Sequence, residues 1–453
     1  MKTPRTAFRF AVISLLAALS GPPARAETQV LWALSGGGEG NDKIRGMAAA
    51  PDGGLFITGE ISGATDLGDI TLESAGQLDI VVAKLSAKGE PVWAVRAGGD
   101  KIDRGYGVSP APDGGCYVTG HFQSGTIRFG EHELINAGDY DGFLARFDAG
   151  GACLWAKRFG GAAYDYGHGV ATDSAGCAVM AGTLAGAGTL EDSAVGDAKG
   201  RNALLAKFAP DGKTVWVTVA TGAGISGHNV AIGPDDAAYL CGFVRGPTRF
   251  GGEPAKDFPV QEAFVARHTS GGGFEWARHL GGKSNGLATS VVVDAEGRVY
   301  AAGMFQGEVS MGKTRFKSLG EHDVWIAGFS DLGDPLWLRR IGGPGIDYGL
   351  GLTPMRNGGC ALTGEIAESA DLGGKTVASA VARAAFVAVF SPAGDFAAAS
   401  PLGGKDNDLS YAIAATLDGA LNLAGAFRNE TTLGRHSLKS GGGNDLFVCR
   451  LLP

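Results

Sequence analysis

The sequence predicts an all-β fold, a seven-bladed β-propeller of four-stranded antiparallel blades, and three observations support this prediction. Glycine is abundant, with 77 residues in 453, which indicates many tight turns and therefore many short strands. A tryptophan returns about every 61 residues, at Trp32, Trp93, Trp155, Trp216, Trp276 and Trp337. A glycine that ends runs such as "FITG" and "YVTG" keeps the same period, at Gly59, Gly120, Gly182, Gly242, Gly303, Gly364 and Gly425.

Each copy of the repeat contains four short strand-like segments. In the second copy they read "GYGVSPA", "CYVTGHF", "DGFLARFD" and "CLWAKRFGG", and the second and third segments are separated by a loop of about twenty residues. Apolar and polar residues alternate within these segments, as in half-buried strands, and no segment shows a sustained helical period. Four-stranded units repeated radially leave only short, protected sheet edges, which favours a propeller.

The phase of the repeat predicts how the ring closes. The chain begins with an outer-strand segment, "QVLWALSG", and stops directly after a third-strand segment, "DLFVCRLLP". The seventh blade therefore lacks its own outer strand, and we expect the N-terminal strand around Trp32 to supply it. Ala398 stands where the tryptophan of the sixth copy would fall.

The N-terminal segment indicates export. Lys2, Arg5 and Arg9 precede a short apolar run, and Ala24 and Ala26 form an A-x-A-like cleavage site. We therefore expect residues 1–26 to be a signal peptide and residues 27–453 to be a single propeller domain, located in the periplasm or outside the cell. No later run is apolar over the length that a membrane span requires.

The charge balance argues against some partners. The chain carries 39 basic and 47 acidic side chains, a net charge of −8. An acidic chain without basic clusters binds nucleic acid and anionic membrane surfaces poorly. We expect neither as a partner, and we expect a monomer.

The six cysteines could suggest disulfides in an exported protein, but the repeat separates them. Cys116 and Cys153 share the second blade, yet a strand lies between them, which places them about 9–10 Å apart and beyond disulfide reach. We predict free thiols that pack as small hydrophobic side chains.

Two short motifs match enzyme patterns in letters alone. "GEVSMGKT", Gly307 to Thr314, fits a phosphate-binding loop, but that chemistry needs a following helix, and here another strand-like segment follows. "GKSNG", Gly282 to Gly286, fits a nucleophile elbow but lies in an inter-blade loop. We interpret both as surface loops.

A carboxylate recurs in the loop that joins consecutive blades. The candidates are Asp42, Asp103, Asp165, Asp347 and Asp408, and the fourth and fifth copies have Ser226 and Gly286 instead. In a propeller these residues should stand near the axis at one channel mouth, where five carboxylates could bind a cation such as Ca²⁺. The alternative is that each Asp accepts backbone N–H bonds and fastens its own turn, and the repetition itself favours this reading.

The eight histidines show no ligand spacing, and we interpret them as polar residues of the surface and loops. An enzyme would need an asymmetric polar cluster at the axis. Departures from the repeat are the places to look for it, namely Ser226 with His228, and Asn285.

The recurrent pattern "W…GG…D.G.G…DG..YVTG…D.F.AK" resembles the bacterial SBBP-type β-propeller repeat family from Trp32 to Leu451. The resemblance implies a seven-bladed propeller and no single activity. The long loops have nearly equal lengths, and enzyme loops usually differ from one repeat to the next. We therefore predict an exported, non-catalytic scaffold that binds a protein or a cell-surface polysaccharide through its loop face. The alternatives are a propeller lyase, glycosidase or quinone-dependent dehydrogenase, and a calcium-stiffened surface component.

Overall fold

The computed structural model describes residues 29–452 except for 192, 198, 373–375 and 404–405. The signal peptide predicted at residues 1–26 lies outside the described residues. The described chain forms strands and turns without a helix, so no described helix could cross a membrane. The all-β prediction is confirmed.

The first seventeen strands belong to the N-terminal part of the chain. In chain order they are β1 (Gln29–Gly37), β2 (Lys43–Ala49), β3 (Leu55–Ile61), β4 (Ala64–Leu67), β5 (Ile70–Glu73), β6 (Asp79–Leu85), β7 (Pro91–Ala97), β8 (Asp103–Pro110), β9 (Cys116–Phe122), β10 (Thr126–Phe129), β11 (His132–Ile135), β12 (Asp141–Phe147), β13 (Cys153–Gly161), β14 (Tyr166–Thr172), β15 (Ala178–Ala185), β16 (Gly188–Leu190) and β17 (Ser193–Val195).

The remaining strands include several long ones, and one of them, β19 (Thr214–Ile232), joins two successive groups of strands. They are β18 (Arg201–Phe208), β19 (Thr214–Ile232), β20 (Ala238–Arg249), β21 (Glu262–His268), β22 (Phe274–Leu280), β23 (Ser284–Val293), β24 (Val299–Met311), β25 (Thr314–Lys317), β26 (Asp323–Phe329), β27 (Pro335–Ile341), β28 (Tyr348–Pro354), β29 (Cys360–Asp371), β30 (Thr376–Phe390), β31 (Phe396–Leu402), β32 (Leu409–Ala415), β33 (Leu421–Leu433) and β34 (His436–Leu452).

Strand pairing follows the repeat. The sheets β2-β3-β6-β7 and β28-β29-β30-β31 are four-stranded and antiparallel, and the strands β8-β9-β12-β13 and β23-β24-β26-β27 follow the same order. The long strand β19 ends one such group, β14-β15-β18, and begins the next, β20-β21-β22. We call each such group of four paired strands a unit.

The first strands of the units pack around a common axis. Each contacts the first strand of the next unit, in the cycle β2, β8, β14, β19, β23, β28, β32 and back to β2. This is a propeller arrangement. The backbones approach closely there, since a Cβ added to Gly46 would lie 2.3 Å from the carbonyl oxygen of Tyr106. The small residues of the inner strands allow this approach.

The two ends of the chain meet in one sheet. Strand β1 pairs antiparallel with β34 from Gln29↔Leu452 to Gly36↔Leu446, beside β33 and β32. The N-terminal strand therefore occupies the outer position of the last unit, as the repeat phase predicts.

The long loops are more ordered than the sequence suggests. Several fold into hairpins, such as β4-β5 and β16-β17, and each of these two pairs with the outer strand of the preceding unit. Phe159, for example, pairs with Leu190. The hairpins fasten neighbouring units to one another, which gives the loop face a fixed shape.

The cysteine prediction is confirmed, because all six thiols are free. Cys116, Cys241, Cys360 and Cys449 are buried in the sheets. Burial raises the pKa of the Cys116 thiol to about 12, which keeps it unreactive. Where the phosphate-loop pattern occurs, β24 turns directly into β25, so no helix follows it.

Candidate functional site: the axial cavity

Every first strand carries a β-bulge at the same place. The pairing with the second strand skips one residue, for example between Ile44 and Gly46 in β2 and between Gly105 and Gly107 in β8. A bulge leaves one residue unpaired and redirects its side chain. The seven skipped residues are Arg45, Tyr106, His168, His228, Thr289, Leu350 and Tyr411.

All seven skipped residues line one cavity of about 320 Å³ on the axis. The volume lies at the lower end of the range of small-molecule sites, roughly 300–1,000 Å³. We call these seven residues the axial ring. The scaffold repeats, but the axial ring does not, because its members are chemically different in almost every unit.

Cationic and aromatic side chains form one arc of the axial ring. The Arg45 guanidinium lies 5.1 Å from the ring centre of Tyr106 and 5.3 Å from that of Tyr411, in the range of cation–π contacts. His168 continues the arc, 5.9 Å from Tyr106, and His228 follows at 4.8 Å from His168. The opposite side is formed by Thr289 and Leu350.

The two aliphatic hydroxyl groups of the cavity are already bound to the backbone. Thr289 Oγ1 donates to the carbonyl oxygen of Gly349 at 2.6 Å. Ser290 Oγ accepts a hydrogen bond from the Leu352 amide at 3.2 Å. Both bonds join neighbouring inner strands, so these hydroxyls stabilise the ring.

The histidines of the axial ring are held neutral. Burial, followed by the charge of Arg201, lowers the pKa of His228 to about 4. Burial, His228, His121 and Arg201 together lower the pKa of His168 well below its ordinary value. At neutral pH both imidazoles therefore offer one donor and one acceptor each.

Interpreting the histidines as surface residues was wrong for several of them. His121 is 1% exposed and His268 is 2% exposed, and both lie on strands. His121 lies among the rings of Tyr106, Tyr140 and Tyr166, at 5.2, 5.0 and 4.8 Å. Sequence spacing cannot reveal this cluster, because its members lie in separate segments of the chain and Tyr166 comes from the next unit.

The recurrent aspartates are buried turn-builders. Asp42, Asp103, Asp165, Asp347 and Asp408 are each at most 1% exposed, and none of them lines the axial cavity. Asp165 is typical, because its Oδ2 accepts the Gly161 amide at 2.7 Å and its Oδ1 accepts the Ala185 amide at 2.8 Å. Asp42, Asp103 and Asp347 likewise tie the inter-unit crossing to the end of the second strand.

Burial acts on the charge of these carboxylates. It raises the pKa of Asp42, Asp165 and Asp347 to about 6 each, against the lowering effect of their hydrogen bonds. A second carboxylate adds to the effect at each of these three crossings, Asp445 beside Asp42, Asp141 beside Asp165 and Asp323 beside Asp347. Within the described residues no group of three or more potential metal ligands occurs.

In the fourth copy, the residue that occupies the aspartate position lies one residue earlier than the sequence repeat suggested. Ser226 pairs with Phe243, and the bulge falls between Gly227 and Asn229, so Ile225 occupies the aspartate position. The Ser226 hydroxyl is 2.6 Å from Thr183 Oγ1 of the preceding unit. His228 belongs to the axial ring, and Asn285 is exposed at the start of β23. The three residues considered for an enzyme site, Ser226, His228 and Asn285, therefore lie in three separate environments.

A signal for the axial ring was present in the sequence. The bulged residues stand in the tetrapeptides "IRGM", "GYGV", "GHGV", "GHNV", "ATSV", "GLGL" and "SYAI". Their neighbours stay small or apolar while the second position changes from Arg to Tyr, His, Thr and Leu. Fold and site together define the class, a β-propeller with a ligand-sized cavity of mixed polar and apolar lining on its axis.

Comparison with known proteins does not assign the chain to a family or an activity within this class. No family model matches the chain. Part of the chain is 25% identical over 154 residues to an uncharacterized WD repeat-containing protein, L264, of Acanthamoeba polyphaga mimivirus. That match covers 30% of this chain and 11% of the viral protein.

Solved structures with a similar fold have diverse roles. The structure of YCF48 bound to D1 peptide is 10% identical, with a TM-score of 0.42, and the match covers 93% of this chain and 96% of that one. The PQQ-bound aldose sugar dehydrogenase of Streptomyces coelicolor is 14% identical, with a TM-score of 0.39, over 95% and 100%. The WD40 domain of Neurospora crassa Pan2 is 14% identical, with a TM-score of 0.33, over 72% and 86%. Likenesses this distant say nothing of activity.

Proposed function

We propose that this chain is an exported, non-catalytic binding propeller that seats one group of its partner in the axial cavity. The partner is a protein or a cell-surface polysaccharide that lies across the loop face. The observation that carries the proposal is the axial ring, in which seven equivalent positions of a constant scaffold bear different side chains around one cavity. Binding sites on repeat scaffolds are commonly built in this way.

We further infer that the ring has seven four-stranded blades, with β1 as the outer strand of the seventh. The seven bulges and the cycle of inner-strand contacts support this count. Export and the likeness to SBBP-type repeats rest on the sequence patterns alone.

The choice of binding over catalysis rests on the chemistry of the cavity. Its described lining contains no carboxylate and no thiol, and the hydroxyls of Thr289 and Ser290 are engaged with backbone groups. Acyl or glycosyl transfer would need a nucleophile with an adjacent base. The remaining hydroxyls of the described lining, those of Tyr106 and Tyr411, make no hydrogen bond to His168 or His228.

Capture of a partner by matched variants tests the proposal. The mature chain serves as bait in the exported fraction of its native host, beside the double variant Tyr106→Leu/Tyr411→Leu and the control Leu336→Ser. Leu336 lies on the outer edge and is 51% exposed, so its change leaves the axis intact. We expect the wild type and the control to retain the same partner and the double variant to lose it.

Equal capture by all three baits would remove the axial cavity from the proposed function. Capture of nothing by the wild type would count against a binding role and in favour of the enzyme alternative. The predicted Ca²⁺ at the aspartates is tested separately, since a bound ion must raise the melting temperature relative to EDTA.

A further inference from the structure

One buried carboxylate is shared by two guanidinium groups beside the axial cavity. Arg45 contacts Glu60 with two nitrogens, Nε on Oε2 and Nη2 at 2.7 Å from Oε1. The Nε of Arg104 lies 3.6 Å from the same Oε2. The Glu60 side chain is 2% exposed, and Arg45 already occupies both of its oxygens. Two guanidinium groups therefore share one carboxylate, so the cluster keeps a net positive charge, and the Arg104 side chain is 28% exposed.

A third cation stands next to this pair. Lys43 opposes Glu60 in the β2–β3 ladder, and its only described electrostatic partners are Glu60, Arg45 and Arg104. Burial, and then the two arginines, lower the pKa of Lys43, while Glu60 raises it. Arg201 adds positive potential from the other side, because its charge acts on both His168 and His228. The axis is thus positive within a chain whose net charge is −8.

Two hydrogen-bonding groups at this place have no partner among the described residues. They are Arg104 Nε and the imidazole of His121, neither of whose nitrogens is bonded. Arg104 and His121 oppose one another in the β8–β9 ladder. A buried polar atom without a hydrogen-bond partner is costly. Such a cluster is complementary to an anion that supplies what the protein lacks.

We propose that the axial site binds an organic carboxylate, whose anionic head lies against Lys43 and Arg104 and whose apolar body enters the axial cavity. The inference rests on the proposed binding function and gives it a ligand class. Arg45 does not bind the head directly, since Glu60 holds it. The Arg45 guanidinium lies between the rings of Tyr106 and Tyr411 and fixes their positions.

The residues that line the rest of the cavity indicate that the body of the ligand is apolar. Below the axial ring the cavity is lined by Val108, Val170, Leu352 and Ile413, and Leu350 faces the aromatic arc. Aromatic rings on one side and aliphatic groups on the other fit a planar or aliphatic body. The carboxylate could belong to a free metabolite or to a side chain of the bound partner, and both present the same group to the site.

Paired probes of equal shape test the charge. Phenylacetate and its neutral isostere phenylacetamide are titrated into the full mature chain by calorimetry or ligand-observed NMR. We expect phenylacetate to bind at least about tenfold more tightly than the amide, because hydrogen bonds to a charged group are stronger than those to a neutral one. Arg104→Gln and Lys43→Gln should each weaken the carboxylate by about tenfold and leave the amide unchanged. Lys88→Gln, an exposed turn residue, changes the net charge equally and should have no effect.

The outcomes separate the two proposals. Equal affinity for the two probes, or no binding of phenylacetate, overturns the carboxylate inference, whereas loss of partner capture in Tyr106→Leu/Tyr411→Leu still supports a binding cavity. If phenylacetate binds and also displaces the captured partner, the carboxylate belongs to the partner. If it binds without displacing the partner, the ligand is a free small molecule. If the Arg104→Gln variant bound phenylacetate as tightly as the wild type, the assignment of Arg104 to the carboxylate head would be wrong.

Discussion

The indole of Trp93 packs on Gly151 of the following unit. Trp93 Nε1 donates a hydrogen bond to the carbonyl oxygen of Ala149 at 3.0 Å. A Cβ added to Gly151 would lie 2.7 Å from Trp93 Cδ2. The same arrangement joins Trp155 to Gly212 and Trp216 to Gly272. Each recurrent tryptophan therefore fastens its unit to the outer turn of the next.

Gly151→Ala should destabilise the protein by about 2–4 kcal/mol. The residue has a φ of +87°, which costs an L-residue roughly 1–2 kcal/mol, and the new methyl group would overlap the indole. Gly419→Ala is the matched control, since its φ is +85° and nothing lies within 4 Å of the added Cβ. Urea unfolding should show the smaller loss for the control. Equal losses would mean that the indole contact contributes nothing.

Ala398→Trp should not stabilise the protein, although it restores the repeat. Strand β31, which carries Ala398, precedes the unit whose third and outer strands are β34 and β1. These two strands pair but are not consecutive in the chain, so no tight glycine turn joins them to receive an indole. We expect a change within about 0.5 kcal/mol for Ala398→Trp. Trp93→Ala should cost about 2–3 kcal/mol. A large gain in melting temperature for Ala398→Trp would contradict this account.

A disulfide across the terminal strands should stabilise the ring. Ala33 is the register partner of Cys449, and both pack in the same core cluster. Ala33→Cys should form a bond under oxidising conditions and raise stability by up to about 4 kcal/mol, because it closes a very long loop. Reductant should abolish the gain, and Ala33→Ser should show none.

Deletion of residues 27–35 is the complementary experiment. It removes most of β1 and exposes the edge of β34, so the melting temperature should fall sharply. Closure by β1 would not limit stability if the disulfide formed without a gain in stability and the deletion left the melting temperature unchanged.

His121→Phe should make the protein more resistant to acid. Burial, then Arg104 and Arg45, lower the pKa of His121 to about 3 in the folded state, whereas an unfolded histidine titrates near about 6.5. The unfolded state therefore binds more protons as the pH falls below about 6.5, and stability is lost in that direction. The variant lacks this loss, so its stability relative to wild type should rise by about 2 kcal/mol between pH 7 and pH 5.

His121→Gln controls for packing. It also removes the titration, but it places a polar amide among Tyr106, Tyr140 and Tyr166, so it should be less stable than His121→Phe at every pH. Both variants should nevertheless show the same pH-dependent gain in urea unfolding. A gain in only one of them would assign the effect to packing.

The period of the sequence was sufficient to predict the strand order within a unit, the free cysteines and the position of β1. These features follow from local patterns, because strand alternation and turn residues act within a few positions. The repeat also indicated why Asp165 and its equivalents recur, since a device needed once in each unit is more often structural than catalytic.

The candidate site depended on the tertiary structure. A bulge is a property of two paired strands, so the sequence alone did not show that Arg45, Tyr106 and His168 face the axis while their neighbours pair. The missing tryptophan at Ala398 likewise has no local cause. Its explanation is the absence of a turn between β34 and β1, strands that lie at opposite ends of the chain. Side chains about 61 residues apart meet only when the ring is closed, because a propeller brings equivalent positions of all its units to one axis.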